Sequence, residues 1–229
     1  MSLERARELA RAIDISCVRA HHGPSDIADL AQHALEWGCI NAHVLPNWLP
    51  VLAPLLAGSS TLAAAPIGFP SGGSTTDTKC RETEYVLEAG AQEVDVVVNV
   101  GRLIGGDFDY VTVELRQIMS LIPPSVIAKG IIETGLLTPS LIRAASRIVA
   151  EAGCAFVKTG TGWAGPATVE AVSVIASGLS ECGADHVAIK AAGGIRAVSD
   201  ITKLSAAGAS RFGIGLSSAV SILEEASQA

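Results

Sequence analysis

Eight short runs rich in Val, Ile, Ala and Leu recur along the chain, at 12–16, 39–45, 62–69, 93–101, 126–135, 155–162, 186–194 and 210–218, and amphipathic stretches of helical period separate them. This alternation constrains the fold more than any other feature. Strand–helix repeats lay successive strands parallel, and helices must then cover the sheet. The punctuation agrees. Gly38, Gly90, Gly153, Gly183 and Gly208 each fall just before a run, where a helix commonly ends on a left-handed glycine. Pro-Ser-Asp at 24–26, Thr-Pro-Ser at 138–140 and Ser-Asp at 199–200 offer oxygens for helix starts. Eight βα units in 229 residues close most economically into a (β/α)₈ TIM barrel, a single domain spanning 1–229 with its active site at the C-terminal strand ends. An open doubly wound sheet is the alternative.

Composition supports a buried parallel sheet: 49% of residues are hydrophobic, 17% charged and only 4% aromatic, so the interior is aliphatic. The formal charge of −7 is dispersed, without a run of Lys or Arg that could track a phosphate backbone, and nucleic acid is not an expected partner. From Trp37 to Thr76 the chain carries no Asp, Glu, Lys or Arg, yet Pro46, Pro50, Pro54 and Pro66 cut every apolar run well below the ~18 residues of a membrane span. The N-terminal MSLERARELARA is charged and amphipathic, unlike a secretory leader. Cys17, Cys39, Cys80, Cys154 and Cys182 are odd in number and form no CxxC pair, which argues against a disulfide framework or zinc site and for a cytoplasmic location. Packing is the expected role of Cys39, Cys154 and Cys182, at helix-to-strand turns.

In a barrel, charged residues at strand ends converge on one mouth. They are Asp14, Asp95, Lys129, Glu133, Lys158 and Lys190, with His43 and Arg19 nearby. The lysines stand on consecutive runs, the fifth, sixth and seventh. Any one of them could close a buried ion pair. Together they allow a different chemistry, because neighbouring ammonium groups and desolvation both disfavour charge and leave one amine neutral. A neutral amine attacks a carbonyl to form a Schiff base, whose protonated imine draws electrons from the adjacent carbon. Asp95 could relay protons through a water or serve as a structural acceptor for Lys158 or Lys190.

The glycine-bearing loops TGTG (159–162), GGIR (193–196) and GIGLSS (213–218) follow the last three runs. Such loops present backbone N–H groups to phosphate, which makes Thr161, Gly162, Gly193, Gly194, Gly213, Ser217 and Ser218 candidate substrate or phosphate contacts. The alternative is tight turns without a ligand. His21, His22, His33, His43 and His186 make no paired ligand set beside carboxylates, so no metal and no cofactor are expected.

Several long motifs carry a resemblance: IGFPSGGSTTDTK (67–79), EVDVVVNVGRL (93–103), AKGIIETGLLT (128–138), FVKTGTGW (156–163) with ATVEAV (167–172), and KAAGGIR (190–196) with SAAGASRFG (205–213). Together they resemble the deoxyribose-phosphate aldolases, class I aldolases of (β/α)₈ fold. The resemblance implies that Lys158 forms the Schiff base, Lys190 tunes it and Asp95 handles protons. The implied reaction is reversible cleavage of 2-deoxy-D-ribose 5-phosphate to acetaldehyde and D-glyceraldehyde 3-phosphate. The implied partners are small phosphosugars and aldehydes, with room for a homodimer or higher homo-oligomer.

The chain departs from the family pattern at four places. Where the family commonly reads IDHTLLKP, this chain has IDISCVRA, with Ser16 and Arg19. Where Cys-Val-Asn-Pro is frequent, it has His43-Val44-Leu45-Pro46. GIGLSS stands as a loop about two residues longer than the usual Gly-Thr-Ser-Ser, and EEASQA lacks the terminal tyrosine that some members use in proton transfer. His43, Leu45 and the last loop keep open a Schiff-base aldolase or lyase acting on a different acceptor; a third reading, a phosphosugar-binding or assembly protein that has lost catalysis, has the intact lysine pair against it.

Overall fold

The computed structural model describes residues 2–228. Eight strands, β1 (Ile13–Cys17), β2 (Asn41–Val44), β3 (Leu62–Ile67), β4 (Glu93–Val97), β5 (Ile127–Ile131), β6 (Phe156–Lys158), β7 (Ala188–Ala192) and β8 (Arg211–Gly215), pair in sequence order as a closed barrel. All pairings are parallel, and β8 returns to β1 with Phe212 beside Ile13 and Gly213 beside Asp14. The open-sheet alternative is thereby excluded. Among the described residues ten α-helices flank the barrel: α1 (Ser2–Ala10), α2 (Pro24–Trp37), α3 (Leu49–Leu55), α4 (Thr76–Glu88), α5 (Val100–Ile104), α6 (Phe108–Met119), α7 (Pro139–Glu151), α8 (Val169–Glu181), α9 (Val198–Ala206) and α10 (Leu216–Gln228). Among the described residues no helix is long and apolar enough to cross a membrane.

Local chemistry accounts for the boundaries. Gly38, Gly90, Gly153, Gly183 and Gly208 all have positive φ, between 70° and 116°, a conformation that costs other residues a Cβ clash. Thr138 caps α7, its hydroxyl accepting the Leu141 N–H. The starts at 24–26 and 199–200 use another device: Asp26 and Asp200 lie in the first helical turn, and their carboxylates reach back to the N–H groups of Gly23 and Ala197.

The strands are shorter than the apolar runs. The run at 93–101 gives a strand only to Val97, because Asn99 caps the short helix α5 by accepting the Arg102 N–H. Only Phe156–Lys158 of 155–162 are strand. The long loop expected at 213–218 does not exist: β8 runs to Gly215 and α10 begins at Leu216. The chain enters the last helix without an intervening loop.

Alternation along each strand sorts the core into two. Residues such as Ile13, Ile15, Ala42, Val44, Val94, Val96, Val157 and Ile214 join the apolar core beneath the helices. Their neighbours face the barrel axis, and these include Asp14, Asn41, His43, Glu93, Asp95, Lys129, Lys158, Lys190 and Arg211, all buried. Branched aliphatic side chains fill most such barrels; here the centre is polar and charged.

Candidate active site

The register brings the charged groups together. Asp95 on β4 pairs with Lys129 on β5, Lys158 on β6 with Lys190 on β7, and Lys190 with Arg211 on β8. Across the interior, Asp95 Oδ2 accepts from Lys158 Nζ at 2.7 Å and from Lys190 Nζ at 2.6 Å, while Oδ1 accepts from Lys129 Nζ at 3.1 Å. Lys190 Nζ also contacts the Asp14 carboxylate. Deeper, Lys129 Nζ donates to Glu93 Oε2 at 2.5 Å. The Arg211 guanidinium grips Asp14 Oδ1 at 2.6–2.8 Å and Glu93 Oε2 at 2.9 Å. Asn41 adds a hydrogen bond to Glu93.

Three carboxylates, Asp14, Glu93 and Asp95, thus face four basic groups, Lys129, Lys158, Lys190 and Arg211. Buried charge is tolerated only when paired, so the set is neutral when one base sheds its proton. Lys158 is the base with a single carboxylate partner, and its pKa is lowered to about 8. Burial is the larger cause; the Lys190 charge adds to it and Asp95 opposes it. The like-charge argument therefore accounts for the smaller share of the shift. Burial also disfavours charge on Lys129, but Asp95, Asp14 and Glu93 outweigh it and raise its pKa. Burial alone would raise Asp95; Lys129, Lys158 and Lys190 instead hold it well below the carboxylate range.

A cavity of about 510 Å³ opens above this network at the C-terminal strand ends. Lys158 and Lys190 form its floor, and Thr161, Gly162, Gly193, Gly194, Gly213, Ser217 and Ser218 line its walls. Asp95 lies beneath the two lysines, outside the lining, and so does Lys129, which belongs to the buried layer and not to the mouth. Glu133 is not at the mouth either. It sits at φ 56° and its carboxylate clamps the loop after β6, accepting the Thr161 N–H at 3.1 Å and hydroxyl at 2.5 Å. Ser217 and Ser218 occupy the first turn of α10, and Gly193 and Gly194 have φ of 105° and 72°. At the rim, Arg19 donates to Gly162 O at 3.1 Å and stacks on Trp163, which meets Phe69 edge-on.

His43 is 3% exposed and lines the cavity, and neither ring nitrogen has a hydrogen-bond partner among the described residues. Burial holds its pKa well below the usual range, so the imidazole is neutral.

No family model matches the chain. A deoxyribose-phosphate aldolase of Sinorhizobium medicae (strain WSM419) is 47% identical over 221 residues, covering 96% of this chain and 87% of that protein. One from Klebsiella pneumoniae is 40% identical over 229 residues, covering 98% and 90%. The chain belongs to the deoxyribose-phosphate aldolase family. Its fold matches a solved tetrameric deoxyribose phosphate aldolase from Aeropyrum pernix with a TM-score of 0.85 at 28% identity, over 98% of this chain and 94% of that one.

Within the site of this aldolase-family chain, Glu93, Arg211 and Asn41 escaped the sequence reading. A signal existed for Glu93, which lies two residues before Asp95 and so on the same face of β4. Arg211 opens β8, far in sequence from its partners, and nothing local marks it. Cys39 and Cys154 are buried with thiols pushed up to about 12, first by burial. Cys182, expected to pack, is exposed.

Proposed function

We propose that Lys158 is the Schiff-base nucleophile of a class I aldolase that cleaves 2-deoxy-D-ribose 5-phosphate reversibly to acetaldehyde and D-glyceraldehyde 3-phosphate. The observation that carries this reading is a buried amine with a pKa of about 8, on the floor of a cavity and paired with one carboxylate. Neutral Lys158 Nζ attacks the C1 aldehyde, and loss of water from the carbinolamine leaves a protonated imine. The C3 hydroxyl then gives up its proton, the C2–C3 pair moves into the imine, and glyceraldehyde 3-phosphate departs. The enamine takes a proton at C2, and water returns acetaldehyde and the free amine. Lys190, between the cavity and Asp95, together with Asp95 forms the proton route.

The phosphate falls to the backbone of Gly193 and Gly194 and the first turn of α10 with Ser217 and Ser218, where N–H groups and the helix dipole favour an anion. Residues 1–229 make one barrel domain, acting in the cytoplasm on small phosphosugars and aldehydes as a homo-oligomer. No metal is needed, because the protonated imine is the electron sink.

Borohydride added with acetaldehyde is expected to leave one stable secondary amine, on Lys158, and activity is expected to survive EDTA. A main adduct on Lys190 or Lys129, or loss of activity to EDTA with recovery on zinc, overturns the reading.

A further inference from the structure

We propose that His43 reads the hydroxyl on the second carbon of the acceptor aldehyde, and so makes this chain select α-hydroxylated acceptors over their deoxy counterparts. The inference rests on the aldolase reading and extends it to a residue with no part in the Schiff-base chemistry.

The other polar side chains that the strands present to the cavity are committed, as are Thr161 and Arg19; His21, Arg196, Ser217 and Ser218 also line it, from the loops after β1 and β7 and from α10. Ser16 Oγ donates to Ile214 O, and Thr161 Oγ1 donates to Glu133. Arg19 donates to Gly162 O, while Lys158 and Lys190 are engaged by Asp95. Asp14 accepts from Arg211 and pairs with Lys190. His43 alone among the strand side chains has both ring nitrogens unspent, although it is 3% exposed. A buried polar group without a partner is destabilising, and a site that carries one is built around a partner supplied from outside.

The imidazole is neutral, so it offers one donor and one acceptor. An alcohol can donate to the acceptor nitrogen or accept from the donor nitrogen, whichever faces the cavity; a carboxylate or an ionised phosphate can only accept, and an ammonium can only donate. Position narrows the choice further. Asp14 pairs with Asn41, and two residues further up the same strands Ser16 pairs with His43 and with Gly215, the last residue of β8. His43 therefore stands one inward-facing step above the carboxylate that meets Lys190. It is level with the end of the strand that leads into α10. An acceptor held between an imine on Lys158 and a phosphate at α10 carries its second carbon through that intermediate height. Among the strand side chains that line the cavity, His43 is the one with no partner of its own, and it stands at the height of that hydroxyl.

The test compares kcat/KM for condensation of acetaldehyde with D-glyceraldehyde 3-phosphate and with 3-phosphooxypropanal, the same acceptor lacking the hydroxyl. In the parent chain the hydroxylated acceptor is expected to be preferred by about 10–100-fold, because the deoxy acceptor leaves the imidazole unpartnered. His43→Leu should collapse that ratio to near one, chiefly by lowering kcat/KM for the hydroxylated acceptor. His43→Asn, which keeps a donor and an acceptor on a shorter stem, should retain part of it. A parent ratio near one, or an unchanged ratio in a folded His43→Leu, overturns the proposal and leaves water as the partner of His43. If His43→Leu does not fold, the parent and His43→Asn ratios decide. Reductive trapping of acetaldehyde separates the two layers of argument: a parent that traps nothing sinks the aldolase reading and this inference with it, whereas trapping with a ratio near one sinks the inference alone.

Discussion

Lys129 and Lys158 stand on adjacent strands, both are buried, and both donate to Asp95, at 3.1 and 2.7 Å. Their pKa values move in opposite directions, Lys129 upward and Lys158 down to about 8. Burial of the residue type does not separate them; the number of carboxylates does. Lys129 lies in a lower layer with Glu93 and Asp14 as further partners, and Arg211 completes that layer's pairing. Lys158 lies in the upper layer, shares its one carboxylate with Lys190, and borders the cavity. The lower layer fixes charge in place, and the upper layer leaves one amine under-compensated. Together they divide the barrel interior into a fully paired half and a half that borders the cavity with charge to spare.

The sharpest break of that comparison is Lys158→Met, which is expected to abolish the acetaldehyde adduct at every pH and to lower aldol turnover about a thousandfold or more. Lys129→Met should instead lose folding before chemistry, so a folded Lys129→Met that traps nothing while Lys158→Met still traps would invert the two layers. Next in size is Glu93→Gln. It removes a carboxylate shared by Lys129 and Arg211 and leaves buried charge uncompensated, a loss of about 3–5 kcal/mol. Denaturant melts measure it. A loss below ~1 kcal/mol would mean that the lower layer holds no fixed charge.

Lys158→Met has a second, smaller effect. The folded pKa of about 8 lies below the ordinary lysine value of 10.5, so between them the unfolded state binds more protons and stability rises with pH. Below pH 8 the native amine is a liability. Its removal should stabilise the fold at pH 7 by about 3 kcal/mol, with the gain vanishing above pH ~10.5; a variant less stable than the parent at pH 7 would show that the ion pair with Asp95 outweighs burial. Smaller again is Lys190→Met. It deletes a like charge and frees Asp95 for Lys158, and both raise the Lys158 pKa. The trapping midpoint should move up by about one unit, and an unchanged pH profile would refute the coupling. Last, Ser218→Ala should raise KM for phosphorylated substrate by about tenfold or less and leave unphosphorylated acceptors unaffected. Gly194→Asp is a poorer probe, since a Cβ there meets Pro166 Cβ at 2.7 Å with φ at 72°.

The barrel was legible because its signals are local and repeated: eight apolar runs, and glycines at five helix ends that all take positive φ. Lys158, Lys190 and Asp95 were legible as strand-end charges in long family motifs. What stayed hidden depends on contacts distant in sequence. Arg211 meets Asp14 across 197 residues and Glu93 across 118, pairings set by the barrel's register and not by any pattern within β8. The run at 155–162 read as one strand, because nothing local shows that Glu133 captures Thr161 and turns the chain after Lys158. The expected loop at 213–218 failed for a related reason: Gly213 and Gly215 read as loop glycines, yet Gly213 pairs with Asp14 and Ala192.

The grip of Glu133 on Thr161 also bears on how such a barrel can be taken apart and recombined. A Cβ at Gly160 would meet Glu133 Oε1 at 2.5 Å and push the clamping carboxylate aside, and Gly135 must lack a side chain because a Cβ there meets the backbone oxygen of Ala164 at 2.5 Å. The Thr134 N–H donates to Thr159 O at 2.7 Å, stitching the same two segments through their backbones. The segments following β5 and β6 are therefore one interlocked piece, cut from two repeats. A chimera that grafts β6 and its loop into another barrel would carry Lys158 but leave the clamp on its loop behind. Recombination that respects the chemistry must place its crossover before β5, moving a quarter of the barrel at a time.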